Sequence, residues 1–174
     1  MDRVMIFCDG SYLFHSLEEY GVRLHYGKLK EELSLGKKTI RALFYGSSPE
    51  SKRPQQEAFH NALRHLGWDV KVYPLKEVEG KRSKEKQVDI ALATDLLLYG
   101  HKDLYDIAVL ITGDKDYKPA VWAVKEMGKL IKIAGFRKSV AMDLILEVGD
   151  ENFIPLDDML DRIKLKVVSK PGSG

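Results

Sequence analysis

Short apolar runs alternate along this chain with stretches of helical periodicity. The clearest run, residues 107–112, is uncharged and rich in β-branched side chains. Such a run is typical of a strand that is buried on both faces of a parallel sheet. Residues 4–8 have the same character. The sequence therefore predicts two buried central strands. Further strands are predicted over residues 39–45, 69–73, 130–134 and 152–154.

The segments between these strands have the spacing of amphipathic helices. Helices are predicted over residues 11–20, 26–35, 55–66, 87–99, 117–127 and 139–147, with a last amphipathic segment over residues 156–165. Residues 46–49, with the sequence GSSP, are predicted to be a loop. Strands that alternate with helices indicate βαβ units. We expect an α/β fold, a three-layer α/β/α sandwich with a mainly parallel central sheet. Residues 1–168 are expected to form a single domain, and residues 169–174 a disordered tail.

Composition narrows the class of protein. The chain has 174 residues, of which 44% are hydrophobic and 31% are charged, as expected for a globular domain. Its formal charge of +2 argues neither for nor against a nucleic-acid partner. Cys8 is the only cysteine, so an internal disulfide and a zinc site of cysteine type are excluded. No apolar run is long enough to span a bilayer, and the acidic start does not resemble a signal peptide. We expect a cytoplasmic location and no membrane partner.

Acidic side chains occupy the ends of the predicted central strands. Asp9 directly follows the first strand, and Asp114 follows the second after Gly113. Asp89 falls in the first turn of the helix predicted over residues 87–99. Parallel strands end at the same sheet edge, where following helices begin and where ligands bind in open α/β sheets. We expect the two central strands to be parallel neighbours, and in that case Asp9, Asp89 and Asp114 converge.

Two further acids have a second interpretation each. Asp95 lies about 9 Å beyond Asp89 along the helix axis and sits among apolar residues. It is either a supporting acid of the site or the partner of a lysine. Asp116 by itself is interpreted as a helix N-cap, and Pro119 suits the first turn of the helix that follows.

A cluster of carboxylates repels itself unless a cation neutralises it. Hard oxygen ligands without a nearby histidine or thiolate favour Mg²⁺ or Mn²⁺. Such ions hold phosphate oxygens, activate water and stabilise a leaving oxyanion. The acids therefore favour phosphoryl-transfer chemistry.

A basic run leads into Asp89. Residues 76–86 lack apolar periodicity and include Lys81, Arg82, Lys84 and Lys86. The run is either a solvated loop or a surface that grips phosphates beside the metal site.

Three segments combine these acids with particular neighbours. They are FCDGSYL at residues 7–13, KQVD at residues 86–89 with Asp95 beyond it, and ITGDKDY at residues 111–117. Together they resemble the NYN domains, in particular the LabA-like branch of the PIN-like nucleases. The resemblance extends over residues 4–154. It implies a PIN-like fold and Mg²⁺- or Mn²⁺-dependent cleavage of RNA.

The resemblance also implies roles for individual residues. The acidic metal-binding residues of the family fall on Asp9, Asp89 and Asp114, with Asp95 and Asp116 in support. The family commonly has an asparagine two residues after the first aspartate, where this chain has Ser11. A serine hydroxyl can still bond a carboxylate or a metal-bound water. The implied catalytic set is therefore Asp9, Asp89, Asp114, Asp116 and Ser11, and Lys81, Arg82, Lys84 and Lys86 are the RNA-binding candidates.

Other classes of protein remain as alternatives. One is a metal-dependent phosphatase of the haloacid-dehalogenase type, which needs a second acid two residues after its nucleophilic aspartate. Ser11 occupies that position, so the sequence disfavours this class. A non-catalytic module would keep the fold and bind RNA or protein without cleavage. No G-x-G-x-x-G motif follows the first strand, so we expect no nicotinamide and no other organic cofactor. A homodimer is left open.

Overall fold

Strands and helices alternate through the computed structural model, which describes residues 2–49, 53–75 and 85–166. The elements are, in chain order, β1 (Arg3–Asp9), α1 (Gly10–Tyr20), α2 (Tyr26–Leu33), β2 (Lys38–Pro49), α3 (Arg53–His65), β3 (Asp69–Leu75), α4 (Glu85–His101), β4 (Ile107–Ile111), α5 (Lys118–Glu126), β5 (Leu130–Gly135), α6 (Met142–Val148), β6 (Phe153–Pro155) and α7 (Leu160–Ile163). The predicted alternation is confirmed.

All strand pairs in the sheet are parallel, and the strand order is β3-β2-β1-β4-β5-β6. The two uncharged strands are neighbours at its centre, with Val4 opposite Ile107 and Cys8 opposite Ile111. Every residue of β4 is buried, because helices cover both faces of the sheet. The carboxyl ends of β1 and β4 therefore meet at one edge, where Asp9 and Asp114 lie.

Successive residues of β1 point to two separate cores. Val4 and Ile6 belong to a cluster that the sheet forms with α1, α2, α3 and α7. Met5 and Phe7 belong to the opposite cluster, which the sheet forms with α4, α5 and α6. Side chains of a strand alternate between faces, so one apolar strand supplies both cores. The fold is a three-layer α/β/α sandwich, as predicted.

Some element boundaries differ from the prediction. Residues 46–49 continue β2 instead of forming a loop, because they pair in register with β3, from Gly46 opposite Val72 to Pro49 opposite Leu75. Tertiary pairing here overrides weak strand propensity. The helix predicted from Ser139 begins at Met142 instead. The amides of Ser139 and Val140 both donate to the carbonyl of Phe136 in the turn before it.

Several statements about the whole chain stay predictions. No helix within the described ranges is both long and apolar enough to cross a membrane. The cytoplasmic location is untested, as is the single domain over residues 1–168. The predicted tail, residues 169–174, lies outside the described residues.

Removal of a side chain from the central strand should destabilise the protein strongly. Leu110 on β4 is fully buried, and Leu110→Ala should lower the free energy of unfolding by about 2–5 kcal/mol, since it leaves a cavity. Leu146→Ala is the matched control, because Leu146 on α6 is 74% exposed and its loss should cost less than about 0.5 kcal/mol. Urea denaturation of both variants measures the difference. Equal losses would contradict the described burial of β4.

Candidate functional site

A cleft of about 290 Å³ opens at the carboxyl ends of β1 and β4. We call it the carboxylate cleft. Its lining residues are Asp9, Ser11, Tyr12, His15, Ser16, Glu19, Asp89, Gly113, Asp114 and Ser139. Three chain segments thus bring Asp9, Asp89 and Asp114 to one cleft, as the sequence predicted, and Ser11 lines it too.

Asp9 is the buried acid of the cleft, with only 4% of its surface exposed. Its Oδ1 accepts a hydrogen bond from the amide of Tyr12 at 3.2 Å and so caps α1. Its Oδ2 accepts one from the hydroxyl of Thr112 at 2.9 Å. Thr112 directly follows β4, so the carboxylate links the ends of both central strands and fixes its own orientation.

The environment of Asp9 favours its protonated form. Burial is the main cause that raises the pKa of Asp9 to about 7, and the negative charges of Asp89 and Asp114 raise it further. The hydrogen bonds from Tyr12 and Thr112 act in the opposite direction, because they stabilise the carboxylate. A carboxyl group that titrates near neutral pH beside two other acids is typical of functional sites.

The turn that follows β4 holds the side chain of Asp114 in place. Its Oδ1 accepts from the amide of Asp116 at 2.9 Å and caps a short 3₁₀ turn, Lys115–Tyr117. The amide of Asp114 donates to the Thr112 hydroxyl at 3.2 Å. The prediction that Asp116 is a helix N-cap is wrong, because Asp114 is the N-cap of this turn and Asp116 lies within it. Asp116 is exposed and is not among the residues that line the cleft.

Asp89 reaches the cleft from α4. Its Oδ1 accepts a hydrogen bond from the hydroxyl of Tyr117 at 3.0 Å. Burial, followed by the charges of Asp9 and Asp89, raises the pKa of Tyr117, so the phenol remains a neutral donor. Tyr117 lies within the ITGDKDY motif, but no role is predicted for it from the sequence. Its position three residues after Asp114 was the available signal.

One wall of the carboxylate cleft consists of hydroxyl groups from distant segments. The Ser139 hydroxyl lies 2.8 Å from that of Tyr12 and 3.0 Å from that of Ser16. The backbone approaches this wall closely at Gly113, where a Cβ atom would lie 2.2 Å from the Ser139 carbonyl oxygen. Gly113 is not among the residues with positive φ. Glycine is therefore needed there because of the close contact and not because of the backbone conformation. No local pattern in the sequence indicates this wall.

Asp95 does not line the carboxylate cleft. Its Oδ2 lies 2.5 Å from the ammonium of Lys71 on β3 and accepts from the hydroxyl of Tyr45 at 2.8 Å. Of the two interpretations of Asp95, the lysine-paired acid is therefore confirmed. The interaction ties the middle of α4 to β2 and β3.

The basic run cannot be placed in the same way. Lys81, Arg82 and Lys84 lie outside the described residues, and for Lys86 only the backbone position in the first turn of α4 is described. Their part in RNA binding stays a prediction.

Most donors of the cleft are carboxylate and hydroxyl oxygens, which are the ligands that hard divalent cations prefer. The expectation that no histidine lies nearby is wrong, because His15 on α1 also lines the cleft. No group of three or more His, Cys, Asp or Glu residues is close enough to hold an ion, within the part of the chain that the structure describes. The chemistry of the cleft thus fits Mg²⁺ or Mn²⁺ held by one or two carboxylates and water.

The sequence matches the NYN domain family over residues 3–166. The chain belongs to the NYN domain family. This family is part of the PIN-like nuclease superfamily, whose members generally use divalent metals. NYN domains are generally nucleases. The assignment to the LabA-like branch stays a prediction.

A solved structure shows the same fold as this NYN domain. It is a protein of unknown function from Vibrio parahaemolyticus RIMD 2210633, with a TM-score of 0.77 and 21% sequence identity. The alignment covers 94% of this chain and 96% of that one. At this identity the likeness establishes the fold alone. A search of curated proteins found no match.

The raised pKa of Asp9 predicts a pH-dependent stability for the metal-free NYN domain. The folded state binds the Asp9 proton more tightly than the unfolded state, whose pKa is about 4. The contribution of Asp9 to the free energy of unfolding is therefore complete below pH 4 and is lost as the pH rises to about 7. The loss is roughly 4 kcal/mol at most.

Asp9→Asn should remove this slope and unfold at higher urea concentration than the parent at pH 8. Urea denaturation in EDTA between pH 4 and pH 8 measures the difference between variant and parent. Asp161→Asn is the control, because the Asp161 side chain is 94% exposed. A constant difference between Asp9→Asn and the parent over this range would show that Asp9 is not protonated near neutrality.

Proposed function

We propose that this NYN domain is a metal-dependent ribonuclease that hydrolyses RNA phosphodiester bonds at the carboxylate cleft. The observation that carries the proposal is the meeting of Asp9, Asp89 and Asp114 at one cleft, in a chain whose family is generally nucleolytic. Acids from the ends of two central strands and from a third segment give the donor set of a phosphoryl-transfer site.

Asp9, Asp89 and Asp114 are the residues that we propose to hold Mg²⁺ or Mn²⁺, directly or through water. Burial raises the pKa of Asp9 most, and repulsion by Asp89 and Asp114 raises it further. A bound cation would relieve that repulsion. Held by these carboxylates, such an ion would supply Lewis-acid chemistry for phosphate oxygens and for an attacking water. Ser11 lines the cleft and offers a further oxygen, while Asp116 supports the site from the adjoining turn.

Neighbouring groups hold each proposed ligand in place. The Tyr12 amide and the Thr112 hydroxyl orient Asp9. The Tyr117 hydroxyl orients Asp89. The Asp116 amide orients Asp114, so Asp116 has a positioning role through its backbone. Ligands that are oriented before substrate binds need little reorganisation during the reaction.

The described lining of the cleft is poor in basic side chains. Neither lysine nor arginine is among its lining residues in the described part of the chain. A polyanion such as RNA therefore needs basic side chains beside the cleft. We propose that Lys81, Arg82, Lys84 and Lys86 supply them, since they precede Asp89 in sequence. The proposed partner is thus RNA, while homodimer formation and the cytoplasmic location stay predictions.

The central test is cleavage of labelled single-stranded RNA with Mg²⁺, with Mn²⁺ and with EDTA. We expect cleavage with either metal and none with EDTA. Asp114→Asn should lower the cleavage rate by about a hundredfold or more and abolish the rise in melting temperature with Mn²⁺. Asparagine retains the oxygen that caps the turn, so the metal-free fold should be kept or slightly stabilised.

Asp161→Asn is again the matched control and should retain both activities. RNA binding without metal-dependent cleavage by the parent protein would favour the alternative, a non-catalytic RNA-binding module. An unchanged Mn²⁺-induced shift in Asp114→Asn would count against Asp114 as a ligand.

The basic run is tested separately by replacing Lys81, Arg82 and Lys84 with alanine. The variant should bind RNA more weakly for all sequences, and its salt dependence should decrease by up to about three phosphate contacts' worth. The cleavage rate at saturating RNA should change much less, because the chemistry remains with the carboxylates. Binding isotherms over a range of salt concentrations measure the slope. Identical slopes of binding affinity against salt concentration in variant and parent would exclude this run as the RNA-binding surface.

A further inference from the structure

A second cleft, of about 280 Å³, lies between α3 and the carboxyl ends of β2 and β3. We call it the α3 pocket. Its lining residues are Ser48, Glu57, His60, Arg64, Val72 and Pro74. None of them belongs to the carboxylate cleft. The pocket joins two opposite charges and an imidazole to the apolar surfaces of Val72 and Pro74.

His60 is the buried polar group of the α3 pocket. Only 4% of its surface is exposed. The rings of Phe44 and Phe59 lie 6.4 Å and 5.8 Å from its ring centre. Burial, followed by the charge of Arg64, lowers the pKa of His60. A neutral imidazole has one donor and one acceptor, and His60 lines the pocket, so it can bond to a ligand that enters there.

The charges of the pocket are separated along one face of α3. Glu57, His60 and Arg64 occur at helical spacings of three and four residues, so they share a face. The Arg64 guanidinium donates to the side chain of Asn61 at 2.9 Å, which uses one of its five donors. The pocket thus has an acceptor at one end, a set of donors at the other and the imidazole between them.

This layout selects among ligands. A lone phosphate would be repelled by Glu57, whereas a flat heterocycle can cover the apolar surfaces and bond at its edges. Guanine has donors on N1 and N2 and acceptors at O6 and N7. A carboxylate complements the donors, and a guanidinium is the commonest partner of O6 and N7. Bases of single-stranded RNA expose both edges to proteins.

The α3 pocket is close to the carboxylate cleft. Tyr45 on β2 lies opposite Asp9 on β1, and Gly46 follows it. A Cβ atom on Gly46 would be 3.7 Å from Nε2 of His60. The ring of Phe44 packs near the ring of His60. The same phenylalanine ring also approaches Gly10, where a Cβ atom would lie 2.5 Å from Cζ of Phe44. One strand spacing, about 4.8 Å, therefore separates the strand that ends at Asp9 from the strand that lines the pocket.

We propose that the α3 pocket binds a guanine base of the RNA strand whose scissile phosphate lies in the carboxylate cleft. This inference rests on the proposed function. Glu57 accepts hydrogen bonds from N1 and N2 of the base, Arg64 donates to O6 and N7, and His60 completes the edge contacts. The pocket gives the enzyme a preference for guanine near the cleavage site, a preference that the acids of the cleft cannot supply.

The test measures binding of labelled oligouridine to the full chain in EDTA, where no cleavage occurs. A single guanine in the oligonucleotide should tighten binding roughly tenfold, as a bidentate base contact does. A single adenine should not. Glu57→Gln and Arg64→Gln should each remove most of the advantage of guanine and leave the affinity for plain oligouridine within about twofold. Glu126→Gln on α5 is the matched control for Glu57→Gln, because Glu126 is an exposed glutamate on the opposite helix layer.

Three outcomes separate this inference from the proposed function. Equal affinities for all oligonucleotides, in the parent and both variants, would overturn the guanine site even if metal-dependent cleavage were found. Guanine-dependent binding without cleavage would uphold the site and overturn the nuclease. A third outcome is binding of free guanosine monophosphate that both variants lose, without any advantage of guanine in the oligonucleotide. It would show a site for free nucleotide and overturn the assignment to RNA. Melting curves of both variants confirm that they are folded.

Discussion

The candidate site depends on the hydrogen bonds and the burial of the Asp9 carboxyl group. It accepts hydrogen bonds from the Tyr12 amide and the Thr112 hydroxyl, and these link the start of α1 to the end of β4. Burial beside Asp89 and Asp114 nevertheless makes its charged form costly. The fold thus holds an acid in place while its electrostatic environment disfavours ionisation. A divalent cation would resolve this conflict, because it replaces repulsion between carboxylates with attraction to a shared charge.

The other acids depend on packing between α4 and the sheet. Tyr117 holds the Asp89 carboxylate, and its own ring is buried in the core that α4 and α5 share with the sheet. Farther along α4, Asp95 bonds to Lys71 and to Tyr45. Tyr45 is also the strand neighbour of Asp9. Asp95 thus ties α4, the helix that presents Asp89, to the strand beside β1.

The distribution of charge assigns the proposed metal binding and the proposed RNA binding to separate surfaces. The carboxylate cleft contributes carboxylate and hydroxyl oxygens, and neither lysine nor arginine lines it among the residues that the structure describes. In the proposed function, attraction to the RNA backbone comes from basic residues outside the cleft, and such attraction carries no sequence information. The α3 pocket differs from both, since it places opposite charges around an apolar surface. Metal binding, phosphate attraction and base selection would thus depend on different residues, and mutations can separate them.

The sequence by itself determined the order of elements and the positions of the principal acids. An uncharged strand must be buried on both faces, and a chain of such strands and helices forms a parallel sheet. Asp9 and Asp114 follow such strands directly. Their meeting at one edge is thus a consequence of topology, and so is the approach of Asp89 from the start of α4. The match to the NYN domain family agrees with this deduction.

Only the tertiary structure decided which groups bond to those acids. The pairing of Asp95 with Lys71 joins residues 24 apart, and the contact of Tyr12 with Ser139 joins residues 127 apart. The extension of β2 through residues 46–49 depends on its register with β3, and that extension places Ser48 in the α3 pocket. Local sequence sets backbone preference and which face is apolar. Contacts between distant side chains are set by how the layers pack, because each depends on the positions of both elements.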